Sequence, residues 1–278
     1  MTTTWTLSGF GDEIDADPVV QLSVLQALGA NHIEVRSAWG TNIVDLTTDQ
    51  LDTLKTLLDQ REMGVSAIAS PIGKVDVFGD ADAELARLDR AVAAAHHLGS
   101  RYIRLFSFYR GEDVPVEAIR DTVLARMRAF ADVAEREGLI LVHENEKDIY
   151  GDIPARVLDL IESVGSPALR VAWDNANFVQ CGVRPFTDGY AQLRPYLEYL
   201  QVKDALADTG VVVPAGEGDG ELLETVTALR DDGFAGFASL EPHLADQHSL
   251  GGFSGPAAFG RAARAFAALT QSIGVQTV

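Results

Sequence analysis

Short β-branched runs alternate with longer amphipathic stretches along the chain, and the unit recurs roughly every 30 to 35 residues. The short runs predict strands near 4–10 (TWTLSGF), 32–36 (HIEVR), 65–70 (VSAIAS) and 102–107 (YIRLFS). Further strands are predicted near 139–144 (LILVHE), 169–174 (LRVAWD), 197–202 (LEYLQV) and 236–241 (GFASLE). Between them, apolar residues fall at three and four spacing. Leu85, Leu88, Val92 and Ala95 form one helical stripe, and Val123, Met127, Phe130 and Val133 form another. Local punctuation agrees: Asp17-Pro18, Thr47 and Asp82 suit helix N-termini. Gly29, Gly64, Gly99 and Gly138 each follow a stripe and precede a strand, as C-terminal caps do.

Eight strand–helix units in series, without a linker or a second composition zone, predict a single (β/α)₈ TIM-barrel domain over residues 1–278. A doubly wound open sheet would require a glycine-rich phosphate fingerprint after the first strand. The chain reads GDEIDADP there, placing acids where phosphate would sit.

Composition narrows the function classes. A 47% hydrophobic content suffices for one large core, and the formal net charge of −19 argues against a phosphate-backbone partner. Cys181 is the only cysteine, so neither an intrachain disulfide nor a thiolate metal cluster is expected. The N-terminal stretch lacks the basic and apolar segments of a secretory signal, and no apolar run approaches the ~20 residues that span a bilayer. The expectation is a cytoplasmic protein with no nucleic-acid or membrane partner.

A barrel gathers functional groups at the C-terminal ends of its strands. Strand two ends in Glu34 and Arg36, strand three leads to Ser70 and Lys74, and strand four carries Arg104 and ends near Ser107. His143, Glu144, Asn145 and Glu146 end strand five; Asp174, Asn175 and Asn177 end strand six. Gln201, Lys203 and Asp204 belong to strand seven, Glu241 and His243 to strand eight. Glu144, Asp174, Gln201 and Glu241 thus lie at the ends of four consecutive strands. Converging carboxylates raise one another's pKa unless a counter-charge is present, and a divalent cation supplies one. Four oxygens suit a hard ion such as Mn²⁺ or Mg²⁺. A single strand-end acid is more often a cap or an ion-pair partner, and a metal-free carboxylate site stays open.

At these residues the sequence resembles the sugar phosphate isomerase/epimerase family, whose fold is the xylose isomerase-like barrel. The resemblance covers nearly the whole chain and is carried by LVHENEKDIYG (141–151), VAWDNANF (171–178), YLQVKDA (199–205), PAGEGDG (214–220) and SLEPHL (239–244). HIEVRS, SAIASPIGK and YIRLFSFY match more weakly.

The resemblance implies one divalent metal, Mn²⁺ first with Mg²⁺ or Co²⁺ as alternatives, held by Glu144, Asp174, Gln201 and Glu241. It implies proton abstraction beside the carbonyl of a ketose or keto-sugar through a metal-stabilised enediolate. Glu144 and Glu241 would be base and acid, with His143 and His243 as rival bases. Strand alternation, however, points His143 away from Glu144.

Arg36, Lys74, Arg104, Asn177, Lys203, Glu217 and His243 are the candidate substrate-binding residues. For Arg104 a structural ion pair is an equal reading. Asp204 could pair with Lys203 or orient Gln201, and Trp173, Phe106 and Phe178 could wall a sugar ring or simply be core. Members with a ketose 3-epimerase reaction carry histidine in place of Gln201 and of Asn177. A lyase that cleaves 3-keto-glycosides by β-elimination is therefore the alternative. Relatives are often dimers or tetramers, so a homo-oligomer is possible. An apurinic endonuclease, which shares the barrel, would need a histidine-rich zinc cluster and a basic face. The remaining histidines, His32, His96, His97 and His248, sit in no motif and suit packing or surface roles.

Overall fold

The computed structural model describes residues 3–111, 113–244 and 254–278, so His248 lies outside the described residues. The eight anticipated strands form, each within about two residues of its sequence position. They are β1 (Thr3–Gly9), β2 (His32–Val35), β3 (Gly64–Ala69), β4 (Tyr102–Leu105), β5 (Ile140–Glu144), β6 (Leu169–Asp174), β7 (Leu197–Val202) and β8 (Phe237–Leu240). Each pairs in parallel with its sequence neighbour from β2 through β8, and β8 pairs with β1. A parallel bridge between Phe10 and Glu34 brings β1 to β2 and closes the ring. A ninth strand, β9 (Val275–Thr277), adds to the outer start of β1 through Thr3–Trp5. Its three residues carry too little pattern to be read as a strand.

Helices α1 (Pro18–Ala27), α2 (Thr48–Gln60), α3 (Ala81–Leu98), α4 (Val116–Glu137) and α5 (Pro154–Val164) follow the first five strands. Between β6 and β7 the connection is instead a short helix, α6 (Asn175–Gln180), and a π-type turn at Pro185–Tyr190. Helices α7 (Leu222–Asp231) and α8 (Gly255–Ser272) complete the outer layer. Stripe residues Leu88, Val92, Met127 and Phe130 are buried against outward-facing strand residues such as Ile103 and Leu141. Among the described residues, no helix is long and apolar enough to cross a membrane.

The caps test the local readings. Asp17 accepts the Val19 N–H at 2.8 Å, and Thr47 forms a reciprocal capping box with Gln50. Gly99 and Gly138 end α3 and α4 in the left-handed conformation. Two readings need correction. The N-cap of α3 is Asp80, which accepts from the N–H groups of Asp82 and Ala83, because the helix starts earlier than the apolar stripe suggests. Gly64 is not a cap but the first residue of β3; a Cβ there would come within 2.6 Å of the His32 ring. The positive φ that ends α2 is taken by Glu62.

From β4 to β8 the barrel interior grades from apolar to polar along the strands. Val142, Ala172 and Tyr199 pack together low in the barrel with Ala67, and Tyr102, Ile140 and Phe237 close in against them. Two residues further along each strand, the same inward face carries Arg104, Glu144, Asp174, Gln201 and Ser239. Lys203 and Glu241 continue the series past the ends of β7 and β8. This period-2 line is what delivers the polar groups to one place.

Candidate active site

The inward face of β5 to β8 ends in three converging carboxylates. One oxygen each from Glu144, Asp174 and Glu241 lies within 4.8 Å of the others, and all three side chains are buried. Asp174 and Gln201 are level partners on adjacent strands. Above them opens a cleft of ≈ 280 Å³ whose wall includes Arg36, Lys74, Arg104, Lys203 and His243. That volume lies at the small end of ligand sites.

The electrostatics follow from crowding acids out of water. Burial, with the neighbouring Glu241 charge, pushes the Glu144 carboxyl up to about 7. Burial likewise pushes Asp174 up to about 7, although Lys203 pulls it down. Burial would raise Glu241 too, but Lys203, His243 and Arg36 hold it well below the usual carboxylate range. The Lys203 ammonium lies 3.0 Å from Glu241 Oε2 and 2.9 Å from Asp174 Oδ2. Burial alone would lower its pKa; the surrounding acids, Asp174 foremost, keep it well above the ordinary lysine value.

The donors on the wall are themselves held in place. Arg36 spans Asp12 at 2.8 Å, Glu13 at 3.4 Å and Glu241 at 3.1 Å. His243 bridges Glu13 and Glu241, at 3.1 and 3.2 Å. Lys74 pairs with Glu146 at 2.8 Å above the face of Phe106. Arg104 is buried: its Nη1 donates to the Ser70 carbonyl, and its Nε lies 3.2 Å from Glu144 Oε2. It serves as ion-pair partner and cleft wall at once. Asn177, held by Asp174 at its backbone N–H, donates from Nδ2 to Glu144 Oε1 at 3.1 Å and to the Asn145 carbonyl.

Other candidates are placed elsewhere. His143 faces out of the barrel, where its Nε2 meets Ser107 Oγ at 2.9 Å and a Cβ on Gly151 would strike the ring. Burial lowers its pKa to about 3, and the cleft wall does not include it. Glu217 is exposed and paired with Arg261 at 2.8 Å, also off the cleft wall. Asp204 touches neither Lys203 nor Gln201. Its carboxylate accepts the backbone N–H groups of Gly216, Gly218 and Gly220, with the latter two glycines approaching too closely to carry a side chain. Trp173 and Phe178 are core residues that meet edge to face, and Phe106 is buried beneath Lys74 and Arg104.

Sequence reasoning missed Asp12 and Glu13 as partners of Arg36 and His243. They lie in the GDEIDADP segment, which was informative only against phosphate. It placed Glu34 at the end of strand two but gave it no role: its carboxylate, fully buried and raised to about 7 by that burial, accepts the Gln201 amide N–H at 3.1 Å.

The donor set fits a hard divalent cation. Gln201 Oε1 is buried and accepts no hydrogen bond, while the buried Glu144 Oε2 and Asp174 Oδ2 are met only by the charges of Arg104 at 3.2 Å and Lys203 at 2.9 Å. Buried oxygens without donors are costly unless something else satisfies them.

Residues 22–269 match the family model described as the xylose isomerase-like TIM barrel. The chain belongs to that family. A 2-epi-5-epi-valiolone 7-phosphate 2-epimerase from an Actinoplanes species is 34% identical over 144 residues, 51% of either chain. The chain thus matches about half the length of that relative. The solved structure of the probable 3-DHS dehydratase AsbF from Bacillus anthracis superposes with a TM-score of 0.75 at 17% identity, covering 95% of this chain and 98% of the other. A xylose isomerase-like TIM barrel protein from Mycobacterium smegmatis, solved in complex with magnesium, gives 0.72 at 18% identity, covering 98% of each chain. At such identities the two structures speak to the fold alone.

Proposed function

We propose that this family member is a divalent-metal-dependent isomerase or epimerase of a ketose or keto-sugar, working by proton transfer at the carbon beside the carbonyl. The observation that carries this reading is the convergence of the buried Glu144, Asp174 and Glu241, two of which, Glu144 and Glu241, line a small cleft together with several cationic side chains. The matched relative is an epimerase by name, which agrees with the reading. Glu144, Asp174, Gln201 and Glu241 would hold the ion, with Mn²⁺ the first choice and Mg²⁺ or Co²⁺ as substitutes. A bound divalent ion would supply Lewis-acid stabilisation for negative charge developing on substrate oxygen.

The chain's own residues do the rest. Glu144 and Glu241 stand on strands separated by two others, and from there would approach a substrate carbon from different sides. One takes the proton from carbon, and the other, itself protonated from solvent, delivers its own proton to the opposite face. Asn177 steadies Glu144, and Arg36 and Lys203 steady Glu241. Arg36, Lys74, Arg104 and Lys203 present N–H groups to the hydroxyls of a small polyol, with His243 beside them.

A lyase reading has one observation in its favour. His243 reaches the cleft 3.2 Å from Glu241 and gives a third proton carrier, one that a departing substituent could use. Incubation of the Mn²⁺-loaded protein with free and 3-keto sugars in D₂O separates the two. The epimerase reading expects incorporation of one solvent deuteron with every other atom retained; release of an aglycone or water would establish the lyase. Neither exchange nor elimination with any keto-sugar would reject both.

A further inference from the structure

We propose that Glu34 is a positioning residue of the ion site: by taking the amide N–H of Gln201 from across the barrel, it turns the amide oxygen toward the ion. This inference rests on the ion site proposed above. Glu34 belongs to β2 and Gln201 to β7, and both are buried completely. Gln201 Nε2 lies 3.1 Å from Glu34 Oε1 and 3.3 Å from Oε2. An ionised carboxylate offers only acceptors, so the nitrogen end of the amide faces it. The opposite end, Oε1, then points away from Glu34 and has no hydrogen-bond partner, although it is buried beside Asp174 in the strand register.

Glu34 is fixed in its turn. The Tyr199 hydroxyl lies 2.8 Å from Glu34 Oε2 and 2.8 Å from Ser66 Oγ, and Ser66 Oγ lies 2.7 Å from Ser8 Oγ. Four strands therefore contribute to one polar network beneath the carboxylates. Glu34 does not line the cleft, so it has no direct route to a substrate. The network's outlet is the Gln201 amide. A free amide could present either end to the ion; with Glu34 in place only the oxygen end is available, and an ion needs the oxygen.

Titration calorimetry of the purified, metal-stripped protein with Mn²⁺ tests this. Glu34→Gln preserves size but lets two amides pair in either orientation. Partners that orient metal ligands are typically worth 10–100-fold in affinity, and a loss in that range is expected. Removing the Glu34 charge would weaken cation binding by itself, so the deciding comparison is with Gln201→Ala. If Glu34 acts through Gln201, adding Glu34→Gln to Gln201→Ala changes Mn²⁺ affinity by less than about threefold.

Equal loss in both backgrounds would overturn the proposal, as would Glu34→Gln that binds Mn²⁺ like the parent while only melting earlier. If Glu34→Gln fails to fold, Glu34→Asp serves, because its shorter side chain should also release the amide. Parent protein that binds no Mn²⁺ would remove the ion site and this inference together. An intact parent site with an indifferent Glu34 removes the inference alone.

Discussion

Glu144→Gln and Glu241→Gln are each expected to lower kcat by about 10³-fold or more, since general acid–base groups commonly contribute 10²–10⁴-fold. In the proposed mechanism each substitution removes a proton carrier and one charge from the residues that would hold the ion, while keeping the side chain's size. The fold should persist. Glu144 is already an acid pushed up by burial, so a neutral amide relieves rather than adds desolvation, and its Oε1 still receives Asn177. When Glu241 loses its charge, Arg36 retains Asp12 and Glu13, and Lys203 retains Asp174. Steady-state kinetics on the keto-sugar found by deuterium exchange, with a thermal melt of each variant, measure both sides. A fall confined to kcat marks an interaction made in the transition state. Full activity in either variant would remove that residue from the chemistry.

Chelation is expected to abolish turnover and lower the melting temperature, and Mn²⁺ to restore both. At a thousandfold excess over Kd a ligand contributes ~4 kcal/mol, which for a chain of this size raises Tm by on the order of 5–10 °C. The effect carries a pH signature. Glu144 and Asp174 ionise near 4 in an unfolded chain but at about 7 in the metal-free fold. Their contribution to stability is complete below about 4 and is lost as the pH rises through about 7. Glu241, held low, stays ionised across that range. The chelated protein should therefore lose stability from pH 6 to pH 8 while the gain on adding Mn²⁺ grows, because fewer protons compete for the ligand oxygens. Melting curves at the two pH values, with and without the ion, read this directly. A gain that shrinks toward pH 8 would place the ion on other groups.

The strands were legible because each is a short β-branched run bounded by turn residues, and a closed parallel ring leaves few other arrangements. The inward set was legible for a related reason: with a side-chain period of two, Val142 to Glu144 and Tyr199 to Gln201 keep one face. The same rule set His143 apart. Elements lacking periodicity were not legible, among them α6, the Pro185–Tyr190 turn and the three-residue β9. Partner choice was the hardest part. Asp204, three residues from Gln201, looked like its neighbour, but that side chain collects loop N–H groups from Gly216, Gly218 and Gly220. The actual partner, Glu34, is 167 residues away and is brought close only by ring closure. Glu13 and His243 meet for the same reason, across the junction of the first and last barrel strands.

Anomalous diffraction at the manganese edge, from crystals grown with Mn²⁺, addresses the bound cation directly. One peak per chain is expected, with oxygens of Glu144, Asp174, Gln201 and Glu241 all about 2.1–2.3 Å away. A peak lying on other residues, or none with Lys203 still bridging Asp174 and Glu241, would contradict it.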